Sequence, residues 1–491
     1  MQKIIKNLFR SWYSNFSWKF HMIPLSFFAL VSCEKFIEVD PPSTVNADNV
    51  YSSDATAASV LTGIYTNLSK SNITEFSSGG VTSVSLFAGL SADEIKLFNP
   101  NYATYAFYYK NDLSSISAVG TANYWGTIYP IVYVANSAIE GITSSNTLTP
   151  SVKNQLLGEA RFIRAFCYFY LANLYGDVPL ILTSNWQTNS KLAREGTTDI
   201  YQQIVEDLTA AKGLLSQNYL KSDGFSSTTD RVRPCKWVAS ALLARVYLYL
   251  GDWQNAEMES SLLINNSSYK LSALNDVFLK NSNEAIWQLQ AVGTGVNSNT
   301  GEGKLFVLPP TGPNNGSFPV YLSDYIVNSF ENGDQRKLNW VGSVTPTSGT
   351  TTYYFPNKYK IGSVNTTPQE YCTVFRLAEQ YLIRAEARAQ LNKPDDAQSD
   401  LNVIRSRAGL GATPANQKQP LLDAIMKERK VEFFTEWGNR WFDLKRTNTV
   451  DALMSSVTPT KGGTWQTTDQ LYPIPKTELD KSPQLIQNSG Y

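Results

Sequence analysis

Three acidic side chains near the C-terminal end could do carboxylate chemistry, since a spacing of four residues places them on one helix face: Glu428, Glu432 and Glu436. Two opposed carboxylates are sufficient for glycoside hydrolysis, one as acid and the other as nucleophile or base. These glutamates are predicted on a regular helix with basic residues interleaved, whereas catalytic carboxylates normally project from loops into a cleft. We therefore expect ion pairs that stabilise this helix, with three arginines as partners: Arg429, Arg440 and Arg446. The same interpretation applies to a second mixed group: Arg376, Glu379, Arg384 and Glu386.

The N-terminal segment has the layout of a secretory signal. Four basic residues and no acidic residue accompany an apolar run over residues 22–30, which is shorter than the roughly 20 residues that span a bilayer. The tetrapeptide that follows, Leu30-Val31-Ser32-Cys33, resembles the lipobox of bacterial lipoproteins, in which the cysteine becomes the acylated first residue of the mature chain. The sequence predicts a signal peptide over residues 1–32 and lipid attachment at Cys33. The alternative is a buried N-terminal helix with an incidental cysteine.

Processing at Cys33 would remove most of the conventional catalytic chemistry. The single histidine, His21, lies in the predicted leader, so the mature chain would contain none. Histidine is the usual general base near neutral pH and the commonest zinc ligand, which excludes Ser-His-Asp triads, Cys-His dyads and histidine-ligated zinc. No metal or cofactor is predicted. Cleavage would also leave 38 of the 42 basic residues against 42 acidic ones, a balance that argues against nucleic acid as a partner.

The rest of the chain predicts a mainly helical domain with irregular insertions. A tether over residues 33–50 precedes one domain over residues 51–491, with three parts: residues 51–270, 271–371 and 372–491. Apolar spacing predicts helices over four ranges before the first of two helix pairs: residues 54–68, 124–142, 152–175 and 199–216. Between residues 73 and 117 this periodicity is lost, and loops with short strands are expected. The insertion over residues 271–371 contains one strand-like segment, residues 284–290, among long polar loops. Three cysteines are expected as small buried hydrophobic residues: Cys167, Cys235 and Cys372.

Two segments resemble tetratricopeptide helix pairs. The first runs over residues 237–250 and 255–264 and turns at Gly251-Asp252-Trp253, where glycine ends one helix and an aromatic ring fills the gap. The second spans residues 375–407 and turns at Asn392-Lys393-Pro394. More than 100 residues separate the two pairs, so the sequence predicts isolated helix pairs with long insertions and not a tandem array.

Five motifs occur in a characteristic order. They are Tyr175-Gly176-Asp177-Val178-Pro179-Leu180, Arg405-Ser406-Arg407-Ala408-Gly409-Leu410, Glu436-Trp437-Gly438-Asn439-Arg440-Trp441, Leu471-Tyr472-Pro473-Ile474-Pro475 and the final Gln487-Asn488-Ser489-Gly490-Tyr491. With the lipobox, they resemble the SusD/RagB family of outer-membrane nutrient-binding lipoproteins of Bacteroidetes over essentially the whole mature chain. The resemblance implies a SusD-like fold, in which tetratricopeptide-like helix pairs support a loop-rich ligand-binding half. It also implies a non-catalytic lid on a TonB-dependent (SusC-like) transporter, lipid-anchored in the outer membrane and facing outside.

Two loops combine aromatic rings with amides, the pair of groups that sugars require. Sugars stack their C–H patches on a ring and hydrogen-bond their hydroxyls to amides. The first loop follows Ala92-Asp93-Glu94, where the resemblance implies ligand contact, and its candidates are Asn99, Asn101, Tyr102 and Tyr105. The candidates of the second loop are Phe306, Asn314, Phe318 and Tyr321. Neither loop contains a tryptophan, which argues against simply transferring starch as the ligand.

The sequence leaves several functions open. A glycan-binding lipoprotein is favoured; the alternatives are a peptide binder of the same family, a carboxylate-based glycosidase, and a structural lid that contacts only a membrane partner. Six tryptophans in regular elements are expected in the core: Trp125, Trp237, Trp253, Trp287, Trp437 and Trp441. Trp186 is ambiguous between a core position and a ligand contact.

Overall fold

The computed structural model describes residues 49–69, 83–115 and 124–491, so the predicted leader, Cys33 and nearly all of the tether lie outside the described residues. The first nine helices are α1 Asp54–Ser69, α2 Val84–Ser91, α3 Ala103–Tyr109, α4 Tyr124–Ser144, α5 Pro150–Tyr175, α6 Trp186–Asn189, α7 Thr197–Leu214, α8 Lys236–Leu250 and α9 Trp253–Ile264. The remaining helices are α10 Gly301–Phe306, α11 Asp324–Val327, α12 Gln335–Trp340, α13 Leu377–Gln390, α14 Pro394–Arg407, α15 Lys418–Glu432, α16 Asn439–Arg446, α17 Val450–Thr460 and α18 Lys476–Leu479. Among these residues no helix combines the length and the apolar character that crossing a bilayer requires.

Helix α5 forms the centre of the core and packs between α4 and α7. It begins with Pro150 in its first turn and ends at Gly176, whose φ of 74° is accessible to glycine at little cost. Its two apolar faces are both covered, as predicted. The rings of Phe162 and Phe166 lie edge-on to Trp287 at centroid distances of 5.1 and 5.2 Å. The three cysteines of the body are buried thiols, also as predicted.

The two predicted helix pairs are α8–α9 and α13–α14, and they lie side by side through α9 and α13. Gly251, with a φ of 70°, ends α8, and the Asp252 carboxylate accepts a 3.2 Å hydrogen bond from the backbone N–H of Asn255 to cap α9. The guanidinium of Arg245 on α8 contacts the carboxylate of Glu379 on α13 at 2.6 and 2.8 Å. Residues more than 100 positions apart in sequence therefore complete one helical scaffold.

The described residues form three small antiparallel sheets, of which two join distant parts of the chain and one is a local hairpin. Their strands are β1 Ile95–Leu97, β2 Ala285–Leu289, β3 Val320–Leu322, β4 Val341–Val344, β5 Tyr353–Pro356 and β6 Cys372–Arg376. The pairs are β1 with β3, β2 with β6, and β4 with β5. Strand β2 is buried along its whole length and matches the predicted segment over residues 284–290.

Several predicted elements differ from the structure. The segment over residues 73–117 contains two helices, α2 and α3, besides the expected short strand. Every residue of α2 is buried, so it lacks the polar face that would have revealed its period. The insertion holds four strands and several short helices where one strand was predicted. The second helix pair begins at Leu377, since residues 375–376 belong to β6. Trp237 and Trp253 are only half-buried, whereas the other four tryptophans expected in the core are buried.

Candidate functional site

Strands β1 and β3 form a two-stranded ladder with one buried and one outward face. Ile95 and Leu97 point into the core, as do their partners on β3. Lys96 lies opposite Tyr321 in the register, and both side chains are on the outward face. Phe98 follows on the same face, because side chains alternate along a strand, and its backbone N–H donates to the carbonyl of Pro319 at 2.8 Å. The ladder therefore carries the ring of Phe98 to the surface beside Tyr321.

Strand β5 adds a third ring to this surface. The Tyr353 ring lies 5.1 Å from that of Tyr321 and 6.0 Å from that of Phe98, measured between centroids, and both contacts are edge-on. Phe98 remains 39% exposed, and the neighbouring Tyr354 is similarly exposed. We call Phe98, Tyr321 and Tyr353 the aromatic surface. Edge-on packing fixes each ring against its neighbour, so the faces presented to solvent are held in place.

Charged side chains border the aromatic surface. The Lys96 ammonium contacts the carboxylate of Asp324, at the start of α11, at 2.7 Å. The hydrogen bond to Asp324 raises the pKa of Lys96, and burial raises the pKa of Tyr321. Both side chains therefore keep their ordinary protonation states at neutral pH, in which they can donate hydrogen bonds to a ligand. Within the described ranges, no three His, Cys, Asp or Glu side chains come together as a possible metal site.

The predicted residues of the first loop lie beside this surface but differ in exposure. The Asn99 side-chain oxygen accepts from the backbone N–H of Asn101 at 3.1 Å, and the Asn101 oxygen accepts from Lys110 at 3.0 Å. Asn101 is exposed and Asn99 is half-buried. The Tyr102 ring is half-buried, 5.5 Å from that of Tyr105. Tyr105 is only 5% exposed, so its ring offers little area to a ligand.

The second predicted loop contributes Tyr321 to the aromatic surface, whereas its other candidates lie in the core or in a turn. Phe306 is 3% exposed and belongs to the main core. The Asn314 side-chain oxygen accepts from the backbone N–H of Gly316 at 2.8 Å, and its backbone N–H donates to the carbonyl of Phe318 at 2.9 Å. These bonds close a turn and leave Phe318 half-buried.

Sequence reasoning missed two of the three rings. Phe98 is one residue before the first predicted candidate, and the alternation of Ile95, Lys96 and Leu97 could have revealed it as the outward continuation of a strand. Tyr353 follows a Gly/Thr-rich stretch and gives no comparable signal, because it reaches this surface through the contact of β5 with β3.

The base of β1 is fixed by residues from the C-terminal part of the chain. Arg440 contacts Asp93 at 2.8 and 3.1 Å, and Lys430 contacts the same carboxylate at 3.0 Å. Burial opposes ionisation of Asp93, but these two cations together lower its pKa well below the ordinary range. The adjacent Glu94 accepts a 3.2 Å bond from the backbone N–H of Thr435, and burial raises its pKa to about 8. One carboxyl at this position is therefore ionised at neutral pH, and its neighbour is largely protonated.

A buried lysine completes this anchoring. The Lys461 ammonium donates to the carbonyls of Leu90 and Ser91, at 2.7 and 3.3 Å, and to that of Ala92. Burial lowers the pKa of Lys461 to about 7. These carbonyls end helix α2, where a cation is favoured by the helix dipole. The contact fixes the chain just before it enters β1.

The three glutamates that suggested carboxylate chemistry are buried in a network of cations. Glu432 contacts Arg336 at 2.8 Å, Arg376 at 2.5 Å and Arg407. Although burial opposes ionisation, Arg407 and Arg376 lower the pKa of Glu432 well below its usual range. Glu428 contacts Arg336 at 2.6 Å, and Glu436 contacts Arg376 at 2.8 Å. Their role in ion pairs is thus as predicted.

The predicted partners were wrong. Arg429 contacts Asp443 at 2.8 Å, Arg440 contacts Asp93, and Arg446 contacts Glu386 at 2.6 Å. The glutamates are instead buried, and they contact cations that belong to distant segments of the sequence. Glu436 is also not on the helix, because α15 ends at Glu432 and a turn with positive φ at Thr435 and Trp437 follows. The second mixed group is paired as expected, with Arg384 on Asp400 and Glu386 on Arg446.

Comparison with known proteins identifies the family. One family profile, described as starch-binding and associating with the outer membrane, matches residues 35–248, and the SusD family profile matches residues 342–491. A SusD-like protein of Formosa agariphila is 25% identical over 94% of this chain and 97% of its own length. The chain belongs to the SusD/RagB family. The starch-binding protein SusD of Bacteroides thetaiotaomicron is 24% identical over 72% of this chain and 74% of its own length.

Solved structures confirm the SusD-like fold. A SusD superfamily protein from Bacteroides vulgatus superposes with a TM-score of 0.76, at 23% identity, over 90% of this chain and all of that one. A laminarin-binding SusD-like protein gives a TM-score of 0.71, also at 23% identity, over 89% of this chain and 99% of that one. The aromatic surface of this SusD/RagB chain draws on both matched segments and on the stretch between them, since Phe98, Tyr353 and Tyr321 lie one in each.

Proposed function

We propose that this protein is a non-catalytic surface lipoprotein that binds an oligosaccharide and passes it to a partner TonB-dependent outer-membrane transporter. The aromatic surface is the observation that carries this proposal. Three rings held edge to edge, with Phe98 39% exposed, give a fixed apolar platform for the C–H faces of sugar rings. Lys96 and Asp324 border it with hydrogen-bonding groups for hydroxyls, and the exposed Asn101 lies three residues after Phe98 in the chain.

Relatives support a glycan as the ligand class. One similar protein is described as starch-binding and one similar structure as laminarin-binding. The rings here are phenylalanine and tyrosine, so the platform differs in chemistry from a tryptophan platform.

The decisive experiment is calorimetry of the purified protein against laminarin, starch and other glycans, with Phe98→Ala and Tyr353→Ala as variants. Losing a stacked ring should weaken binding by about 1–2 kcal/mol, or roughly five- to thirty-fold. Tyr133→Ala is the matched control, because this tyrosine is exposed on α4, outside the aromatic surface. Equal binding by wild type and both ring variants, or binding lost equally in the control, would reject the site.

The absence of catalysis is tested on the same samples. The carboxylates of Glu428, Glu432 and Glu436 are buried and each contacts at least one arginine, so none is available to protonate a glycosidic oxygen. We expect no release of reducing ends from any glycan that binds. Release above background that is abolished by Glu432→Gln would make the protein a glycosidase.

A peptide is the second candidate ligand. The Lys96–Asp324 pair places both signs of charge beside the rings, where they could meet the ends or side chains of a peptide. Calorimetry against a mixture of short peptides separates the two candidates. Saturable peptide binding that Phe98→Ala weakens, together with flat glycan titrations, would select the peptide.

Anchoring and partnership are tested in cells. Cys33→Ala should move the protein from the outer-membrane fraction to the soluble fraction and abolish labelling with palmitate, since the thiol is the predicted acylation site. Affinity purification of the lipidated chain should recover a TonB-dependent barrel protein. Retention of the leader with no acyl group on Cys33 would reject the lipoprotein assignment.

A further inference from the structure

A second exposed aromatic region lies away from the aromatic surface, on the segment between α5 and α7. Trp186 is 72% exposed, the highest value among the described tryptophans, and Leu182 nearby is also exposed. Single exposed apolar residues need no explanation. This one is unusual because the chain around it is held rigidly.

Hydrogen bonds within the segment fix the position of Trp186. The Asn185 side-chain oxygen accepts from the backbone N–H groups of Gln187 and Thr188 at 2.9 and 3.2 Å, which starts the short helix α6 at Trp186. Asn189 donates from its side chain to the carbonyl of Thr183 at 2.8 Å. The segment therefore presents the indole outward on a closed turn.

The same segment is attached to α4. The Glu140 carboxylate accepts a 2.9 Å bond from the backbone N–H of Ser184 and a second bond from its hydroxyl. The side chain of Asn136, one turn earlier on α4, donates to the carbonyls of Ile181 and Thr183 at 2.9 and 3.3 Å. Trp186 and Leu182 thus lie along the C-terminal half of α4.

The chain enters the domain at this same end of α4. Ser145 and Thr147 donate from their hydroxyls to the carbonyls of Tyr51 and Ser52, at 2.7 and 2.8 Å. The Tyr51 ring packs against Gly141, with no room for a Cβ, and its hydroxyl bonds to Ser137 beside Tyr133. We call the group formed by Tyr51, Tyr133, Leu182 and Trp186 the entry face.

Chain length links the entry face to the lipid. Asn49 lies sixteen positions after Cys33, and a flexible linker of that length has a root-mean-square reach of about 22 Å. A domain of this size is roughly 55 Å across. We therefore expect the side of the domain where the chain enters to lie closer to the lipid than the opposite side.

We propose that the entry face rests on the outer-membrane surface and that Trp186 inserts into its interfacial layer. This inference depends on the proposed lipid anchor at Cys33. Tryptophan and tyrosine favour the boundary between headgroups and acyl chains, because their rings are apolar and their N–H or O–H group is polar. No run of basic residues borders Trp186 in the sequence, so the contact should change little with salt concentration.

The test places an environment-sensitive fluorophore on Trp186→Cys in the full lipidated chain. Labelling is selective, because the three cysteines of the domain are buried. Leu338→Cys, with a parent side chain that is 76% exposed on α12, is the control position. Both labelled proteins are attached through their lipid to vesicles of phosphatidylethanolamine and phosphatidylglycerol, with and without acyl chains brominated close to the headgroup.

The label at position 186 should shift to the blue on attachment and be quenched by the brominated lipid, whereas the label at position 338 should do neither. Equal behaviour of the two labels would overturn the inference. A shift that appears only when a transporter is also present in the vesicles would overturn it as well, because the entry face would then contact protein. Failure of the anchor itself would leave both labelled proteins unattached to the vesicles. The mass of the N-terminal peptide identifies this case, because it shows whether Cys33 carries the lipid.

Discussion

Replacing Glu432 with glutamine tests whether the acidic cluster is structural or catalytic. The substitution keeps the shape of the side chain but removes the negative charge shared by Arg336, Arg376 and Arg407. Removing one partner of a buried ion pair costs about 3–5 kcal/mol, because the charges left behind lose their compensation. Other carboxylates still contact all three of these arginines, with Glu428 on Arg336 and Glu284 on both Arg376 and Arg407, so we expect the lower part of this range.

The expected change in melting temperature follows from the size of the domain. Roughly 440 residues, at about 2.1 cal/mol/K each, give an unfolding entropy of about 0.9 kcal/mol/K. A loss of about 3 kcal/mol therefore lowers the melting temperature by roughly 3 °C. Because the native pKa of Glu432 is depressed, its contribution is complete above the ordinary glutamate pKa of 4.5 and is lost as the pH falls below it. The difference between the two proteins should thus be full at pH 7 and shrink in acid.

Differential scanning calorimetry at pH 7 and in acid measures this difference. Glu478→Gln is the control, since Glu478 forms a surface pair with Lys481 and such pairs contribute about 0–1 kcal/mol. Glycan affinity should be unchanged in both variants, as neither residue belongs to the aromatic surface. A melting temperature for Glu432→Gln equal to that of the control would refute the structural role assigned to the network.

Two further predictions concern stability. Burial holds the pKa of Glu94 at about 8, above its ordinary 4.5, so the native state keeps a proton that the unfolded state loses, and stability should fall as the pH rises between these values. Glu94→Gln lacks this titration, so its melting temperature should rise relative to that of the wild type between pH 5 and pH 8. A difference in melting temperature that stays constant over this range would contradict the assignment. Phe166→Ala should cost about 3–5 kcal/mol in urea unfolding, since its ring packs against Trp287 and Trp437, and a loss below about 1 kcal/mol would show that the core can close around the cavity.

The long helices were predictable because their burial is periodic or continuous. Helix α5 was bounded to within two residues by its apolar faces and by Gly176. Helix α2 was missed, because an eight-residue helix buried on all sides has no polar face to set its period. The turn glycine Gly251 likewise located the first helix pair.

The candidate site was only partly predictable. Tyr321 was identified from its loop, but Phe98 follows β1, whose pairing with the distant β3 no local pattern specifies, and Tyr353 reaches this surface because the β4–β5 hairpin contacts β3. The partners in the ion pairs were not predictable for the same reason. The residue types indicated ion pairing, whereas the partners of Glu432 come from the distant positions 336, 376 and 407. The chemistry of individual residues could be predicted from the sequence, whereas the distant residues that they contact could not.

The attachment of Asp93 to Arg440 has a consequence for the order in which the protein matures. A chain is synthesised from its N-terminus, so Asp93 is made long before Arg440, which is 347 residues further along. Until that late segment arrives, nothing neutralises the Asp93 carboxylate or fixes the start of β1. The start of β1, which leads into the aromatic surface, can therefore take its final position only after the C-terminal part of the chain has folded against it.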